Sequence, residues 1–182
     1  MSDQAQTAPQ SERDGLREVA VETERYVARD GWDQSARLFA LVPTSELAGS
    51  APGLSFRTAG PDDLSAVEQE GFEERGDVQQ ALGRIFWPQA VLGVALAVER
   101  LVVPPAAERD LPDDPTAALQ RLQDHPDRRD VRLLAAVHRD GRRLCLLRQR
   151  AHDSDDLVAT GPDLAPGLLA ALAATLQEDL PR

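Results

Sequence analysis

Apolar residues recur at helical spacing from Leu16 through Val19, Ala20, Tyr26 and Val27, which predicts a first helix capped by Ser11 and ended by Asp30-Gly31. The run 37–42 is short, apolar and stopped by Pro43, so it suits a covered strand, and residues 44–48 suit one helical turn. Residues 51–76 are broken by Pro52, Gly53, Gly60, Pro61 and Gly71; they predict irregular chain with an edge strand within 64–70. Asp77 is a good cap for a second helix carrying Val78, Leu82, Ile85 and Phe86 on one stripe up to Trp87-Pro88. Residues 91–103 alternate as a strand, with Leu92, Val94, Leu96 and Val98 on one face and Gly93, Ala95 and Ala97 on the other. The small face is shaped for a closely packed helix.

Pro104-Pro105 ends that strand, and Asp114-Pro115 opens a short helix through Leu122. Residues 131–139 and 142–150 flank Asp140-Gly141, the strongest hairpin signal in the chain. A two-residue loop there pairs Val137 with Leu144, Ala136 with Cys145 and His138 with Arg143. Both faces of the hairpin are apolar, so it belongs inside a sheet. A short strand within 157–160 follows, and Asp163 caps a last helix with Leu164, Leu168, Leu172 and Leu176 in one row and Pro166 in its first turn. The expected fold is α+β, two-layered, with a mostly antiparallel sheet and helices packed on it. A single domain over 11–180 follows a polar tail, 1–10, that lacks the apolar content to order itself.

Charge and composition narrow the function further. The chain has 31 acidic and 20 basic residues and a net charge of -11, which opposes nucleic acid and anionic membranes as partners. Every basic residue is arginine, and asparagine is absent too, a bias expected of a GC-rich genome. Without lysine there is no Walker-type phosphate loop and no Schiff base to pyridoxal phosphate. Cys145 is the only cysteine, no apolar run approaches the roughly 20 residues a spanning helix needs, and the first residues lack a signal-peptide pattern; the expected location is cytoplasmic.

Three constellations could carry chemistry. In the expected hairpin register Cys145 and His138 share a face as diagonal neighbours about 7–8 Å apart, close enough for a nucleophile and its base. His152, Asp153, Asp155 and Asp156 gather divalent-cation ligands, without the glycine and closing glutamate of an EF-hand. Arg128, Arg129, Arg132, Arg139, Arg142, Arg143, Arg148 and Arg150 form a local basic region. Of these, Arg132, Arg139, Arg142 and Arg143 are the candidates for an anion or an acidic partner, against the alternative of pairing with the chain's own carboxylates. Glu68, Glu70, Glu73 and Glu74 read as a solvated cluster. Trp32 and Trp87 read as caps on a core. No cofactor is expected.

The segments Gly31-Trp32-Asp33-Gln34, 37–42, Trp87-Pro88, Val98-Glu99-Arg100-Leu101, Asp130-Val131-Arg132 and Asp163-Leu164-Ala165-Pro166-Gly167-Leu168 resemble a family of uncharacterised actinobacterial proteins over residues 16–176. The resemblance implies no activity or cofactor. The favoured expectation is therefore a non-catalytic protein that acts through protein contacts, as a homodimer or adaptor; the uncharged run of the last helix motivates it. The alternative is a small enzyme or a ligand- or metal-binding protein using the Cys145/His138 face or the His152 loop.

Overall fold

The computed structural model describes residues 14–50, 62–72 and 77–177. Its frame is one six-stranded antiparallel sheet in the order β2-β1-β3-β4-β5-β6, from β1 (Arg37–Pro43), β2 (Leu64–Glu68), β3 (Gly93–Val102), β4 (Arg129–His138), β5 (Arg143–Gln149) and β6 (Ala159–Gly161). The chain is thus an α+β protein, as the hairpin and helix stripes require. Helices lie on both faces of the sheet rather than forming a single second layer, which the two-sided apolarity of β4 and β5 demands.

Helix α1 (Gly15–Ala28) lays Leu16, Val19, Ala20 and Val27 over Phe39, Leu41, Ala95, Ala97, Leu134, Ala136 and Leu146. The alanines of β3 let it lie close, as their size predicts. Helices α3 (Val78–Leu82) and α5 (Pro166–Thr175) cover the other face, setting Val78, Leu82, Leu169, Leu172 and Leu176 against Leu38, Ala40, Val94, Leu96, Val98, Ala135, Val137 and Cys145. Gly93, where β3 begins, is needed for close approach: a Cβ there would sit 2.6 Å from the Val137 carbonyl oxygen.

Several expected boundaries move. Asp14 accepts from the Arg17 N–H and caps α1, whereas Ser11 lies outside the described residues. Helix α3 stops at Leu82, because the next bonds run to the third residue back, Arg84 to Ala81 and Ile85 to Leu82, and tighten the chain into a turn. Ile85 and Phe86 thereby leave the helix, and Phe86 is 65% exposed. Helix α5 starts at Pro166 rather than after Asp163; proline at the first helical position lacks only an N–H that would have no partner anyway. Its buried stripe is Leu169, Leu172, Thr175 and Leu176, so Leu164 stays outside the helix and exposed.

The hairpin slips by one residue. Its loop has three residues, 139–141, closed by His138 N–H to Arg142 O (2.9 Å) and Gly141 N–H to His138 O (3.0 Å), with Gly141 left-handed at φ 95°. A tight turn followed by a left-handed glycine is the usual three-residue solution, and Asp-Gly fits it as well as a two-residue turn. Val137 therefore pairs with Arg143, Ala136 with Leu144 and Ala135 with Cys145. A one-residue change of register sends each side chain opposite a different partner and face.

Helix α2 (Thr44–Ser50) follows β1 directly, and β3 leads through a 3₁₀ turn (Pro105–Glu108) to helix α4 (Pro115–Gln123). Neither the turn nor α4 contains a buried residue. No helix among the described residues is long and apolar enough to cross a membrane.

Candidate functional site

The corrected register separates the proposed nucleophile from its base. Cys145 lies with Ala135 and Val137 on the α5 face, fully buried; His138 lies on the α1 face, its Nδ1 accepting from the Asp140 N–H (3.2 Å) and 2.9 Å from the Asp140 carboxylate. Burial pushes the thiol up to about 11. We expect dithionitrobenzoate at pH 8 to modify Cys145 at least about 100-fold more slowly than free cysteine, since the thiolate is the reacting species. Modification of the folded protein at the rate of a free thiol is the opposing result.

The carboxylates of the His152 loop turn inward to an arginine instead of toward one another. Arg148, 2% exposed, donates Nε and Nη2 to Glu24 of α1 (2.6 and 2.7 Å), Nη1 to Asp153 (3.0 Å) and Nη2 also to Asp155 (2.6 Å). Arg25 reaches Asp155 from outside at 3.5 Å. The guanidinium contacts hold Asp155 below the usual carboxylate range; Asp153 is held there first by the Trp32 indole N–H and then by Arg148. Glu24 first, and then Asp155 and Asp153, raise Arg148 above its ordinary value. Among the described residues no three His, Cys, Asp or Glu side chains are grouped as a metal requires, and His152 and Asp156 stand apart and exposed.

Beside Arg148, directly across the ladder, is Arg132, also 2% exposed. Its Nη2 donates to Glu99 (2.9 Å), its partner on β3, and to the Gly31 carbonyl. The Trp32 ring covers the guanidinium at 4.5 Å, and the indole N–H donates to Asp153 (2.9 Å). Asp33 at φ 66° turns back to hold Arg150 through both Nη atoms (2.7 and 2.9 Å), and its own N–H donates to Glu99. Trp32 is thus a lid over arginine rather than over a leucine core. Trp87 does pack on the α5-side core, donating to Thr175 Oγ1.

The four arginines named for an anion or partner are differently placed. Arg132 is buried and bonded through Nη2 alone, its Nε and Nη1 having no hydrogen-bond partner among the described residues. Arg139 donates to the carbonyls of Val91, Leu176, Trp87 and Pro88, joining the 87–91 segment to the C-terminal end of α5, where a cation is favourable. Arg142 reaches Asp140 (2.8 Å) and Asp14 (3.1 Å). Arg143 is exposed. Of the acidic cluster, Glu68 binds both Arg37 (2.6 Å) and Tyr26, Glu70 is exposed, and Glu73 and Glu74 lie outside the described residues.

Sequence reasoning missed Glu24, Asp33, Glu99 and Arg37 as partners. Glu24 had a signal: it falls on the apolar stripe of α1, four residues after Ala20 and three before Val27, where a carboxylate needs a cation. Two concavities stand out. One of about 630 Å³ between the β1–β2 edge and α3 is walled by Leu38, Phe72, Arg84, Ile85, Phe86 and Trp87. The other, of about 530 Å³ at the open end of the β4–β5 hairpin, is lined by Arg128, Arg129, Asp130, Gln149, Arg150, Ala151 and His152.

No curated protein and no solved structure matches the chain at a significant level. A family model described as PPA1309-like protein matches residues 16–177. The match spans every strand and both helical layers, and the chain therefore belongs to the PPA1309-like protein family, in keeping with the uncharacterised family its Trp-Asp-Gln, Trp-Pro and Leu-Ala-Pro-Gly segments resemble.

Proposed function

We propose that this protein is a non-catalytic cytoplasmic protein that acts through protein contacts, and that its first partner is a second copy of the same chain. The observation that carries the reading is α4, which buries none of its residues. A helix of nine residues is below the length that holds in water without tertiary packing. Leu119 is 55% exposed and Ala118 and Leu122 are half-buried on the adjoining positions, so an apolar stripe is left for a partner to cover.

Charge favours self-pairing. Asp113 and Asp114 stand at the start of α4 and Arg121 near its end, so two copies crossing antiparallel about a twofold axis set each acidic start against the other's arginine. Antiparallel helix dipoles act in the same sense. The uncharged run of α5 does not supply this surface: Leu169, Leu172 and Leu176 are spent on the sheet, and its outer positions are mainly small residues.

Light scattering at micromolar concentration is expected to give twice the chain mass, and Leu119→Arg the chain mass, with circular dichroism unchanged. A wild-type monomer throughout that range, or a dimer indifferent to Leu119→Arg, overturns the reading.

A further inference from the structure

The concavity at the open end of the hairpin is basic on an acidic protein. Three guanidiniums and one imidazole line it against a single carboxylate, Asp130, whereas the chain as a whole carries a charge of -11. An attractive pocket inside a repelling surface concentrates field lines where a ligand would enter.

Two of its arginines, Arg128 and Arg129, differ from the rest of the basic region in what they touch. Arg148, Arg150, Arg132, Arg139 and Arg142 are committed to carboxylates or carbonyls of the fold. Arg150 gives both Nη atoms to Asp33, so it supplies a wall more than a charge. Arg128 donates Nη1 to the Gln123 carbonyl and pairs with no carboxylate among the described residues. Nothing among the described residues bonds to the Arg129 side chain, which leaves its whole planar fork open.

The backbone around these groups is fixed. Arg129 opens β4 opposite Val102, and the turn before it is tied by Arg128 N–H to His125 O (3.1 Å) and Asp127 N–H to His125 Nδ1 (3.1 Å). Across the pocket, Arg150 N–H donates to Asp130 O (2.9 Å), and His152 is set by a bridge to Gln149, its N–H on Gln149 O (3.1 Å). The backbone N–H groups of Asp127, Arg128, Arg150 and His152 are therefore already bonded. Recognition falls chiefly to side chains: the open Arg129 fork, which presents paired N–H groups to a tetrahedral or planar oxyanion, and the Arg128 N–H groups not given to Gln123.

We infer that this pocket binds the phosphate group of a small phosphomonoester, with Arg128 and Arg129 as the charge-bearing contacts and His152 and Gln149 as further polar contacts. A doubly charged anion is the class that answers the open Arg129 guanidinium together with the part of the Arg128 fork not given to Gln123. The volume of about 530 Å³ exceeds what a bare oxyanion fills and lies within the range of small-molecule sites. Asp130 on the wall disfavours a second anionic group and accepts from a hydroxyl of the organic part. The pocket is lined by neither Leu119 nor Arg121, which the α4 pairing uses, although Arg128 is tied to the Gln123 carbonyl at the end of that helix.

The test is titration calorimetry of the full chain with inorganic phosphate and with methyl phosphate, at ionic strength held constant with sodium chloride. Both are expected to bind saturably at one site per chain. Arg129→Ala should weaken binding at least tenfold and Arg128→Ala about fivefold, while Arg143→Ala, which removes an exposed arginine at the far end of the hairpin, leaves it unchanged. Light scattering should give the same mass for Arg129→Ala as for wild type, so that loss of the site and loss of the dimer are told apart. Absence of saturable binding, or an equal loss with Arg143→Ala, overturns the proposal. Binding of an aspartate-rich hexapeptide in place of either phosphate also overturns it, by identifying an acidic protein segment as the occupant.

Discussion

Glu24→Ala is expected to lower the unfolding free energy by about 3 kcal/mol, since removing one member of a buried ion pair leaves the other charged and unsolvated. In a chain of this size that corresponds to a midpoint lower by about 6–12 °C, readable by calorimetry. Arg148 is 3% exposed at its side chain and Glu24 4%, so water reaches neither of them readily. Asp153 and Asp155, at 44% and 53%, hold the outer side of the guanidinium and cannot take the place of the inner carboxylate. The double variant Glu24→Leu/Arg148→Met is expected to recover most of the loss, because an apolar pair of similar volume needs no solvation and the two aspartates remain wetted. A single variant as stable as wild type would falsify the assignment of this pair as the tie between α1 and β5. The same network sets an acid limit. Asp153 and Asp155 have folded values below their unfolded ones, so their contribution is present above the unfolded value and is lost as pH falls through the lowered one. Stability should therefore decline below about pH 4.

Leu172→Ala is the second large effect, at about 3 kcal/mol. Leu172 is fully buried in the middle of α5 against β3, β4 and β5, and its truncation leaves a cavity that flanking Leu169 and Leu176 cannot close from their own positions. Leu164, which the sequence places in the same row, is 41% exposed, and its replacement by alanine should cost less than about 1 kcal/mol. Urea unfolding of the two variants separates the structural stripe from the one that spacing alone suggests. Equal losses at both positions would mean that α5 is anchored differently.

The contrast between Leu172 and Leu164 shows where the sequence was legible. Strand β3 could be read outright, because its two faces differ in size and each meets what that size predicts. The helix ends were harder. Apolar spacing continues through Ile85 and Phe86 and back to Leu164, while the chain turns at Gly83 and starts afresh at Pro166 for local hydrogen-bonding reasons that periodicity does not carry. The hairpin was legible in place and not in register. Asp140-Gly141 satisfies a two-residue or a three-residue loop, and the difference of one residue decided whether Cys145 could meet His138. The arginines were legible as a cluster, but their partners come from residues more than a hundred positions away, Glu24 for Arg148 and Gly31 for Arg132, which only the folded chain brings close.

The strand order carries a kinetic corollary. Every pairing in the sheet joins strands consecutive in the chain except β1 with β3, which are separated by residues 44–92. The longest loop to be closed in the sheet is therefore at that one joint, although its entropic cost exceeds that of the β3–β4 connection only slightly, because the cost grows with the logarithm of length. Strands β3 through β6 with α5 can assemble in chain order, whereas β1, β2 and α1 must dock across the gap. The Glu24–Arg148 pair bridges these two parts, so if they dock late its loss is expected to appear mainly as faster unfolding, measurable from the unfolding limb of a denaturant series.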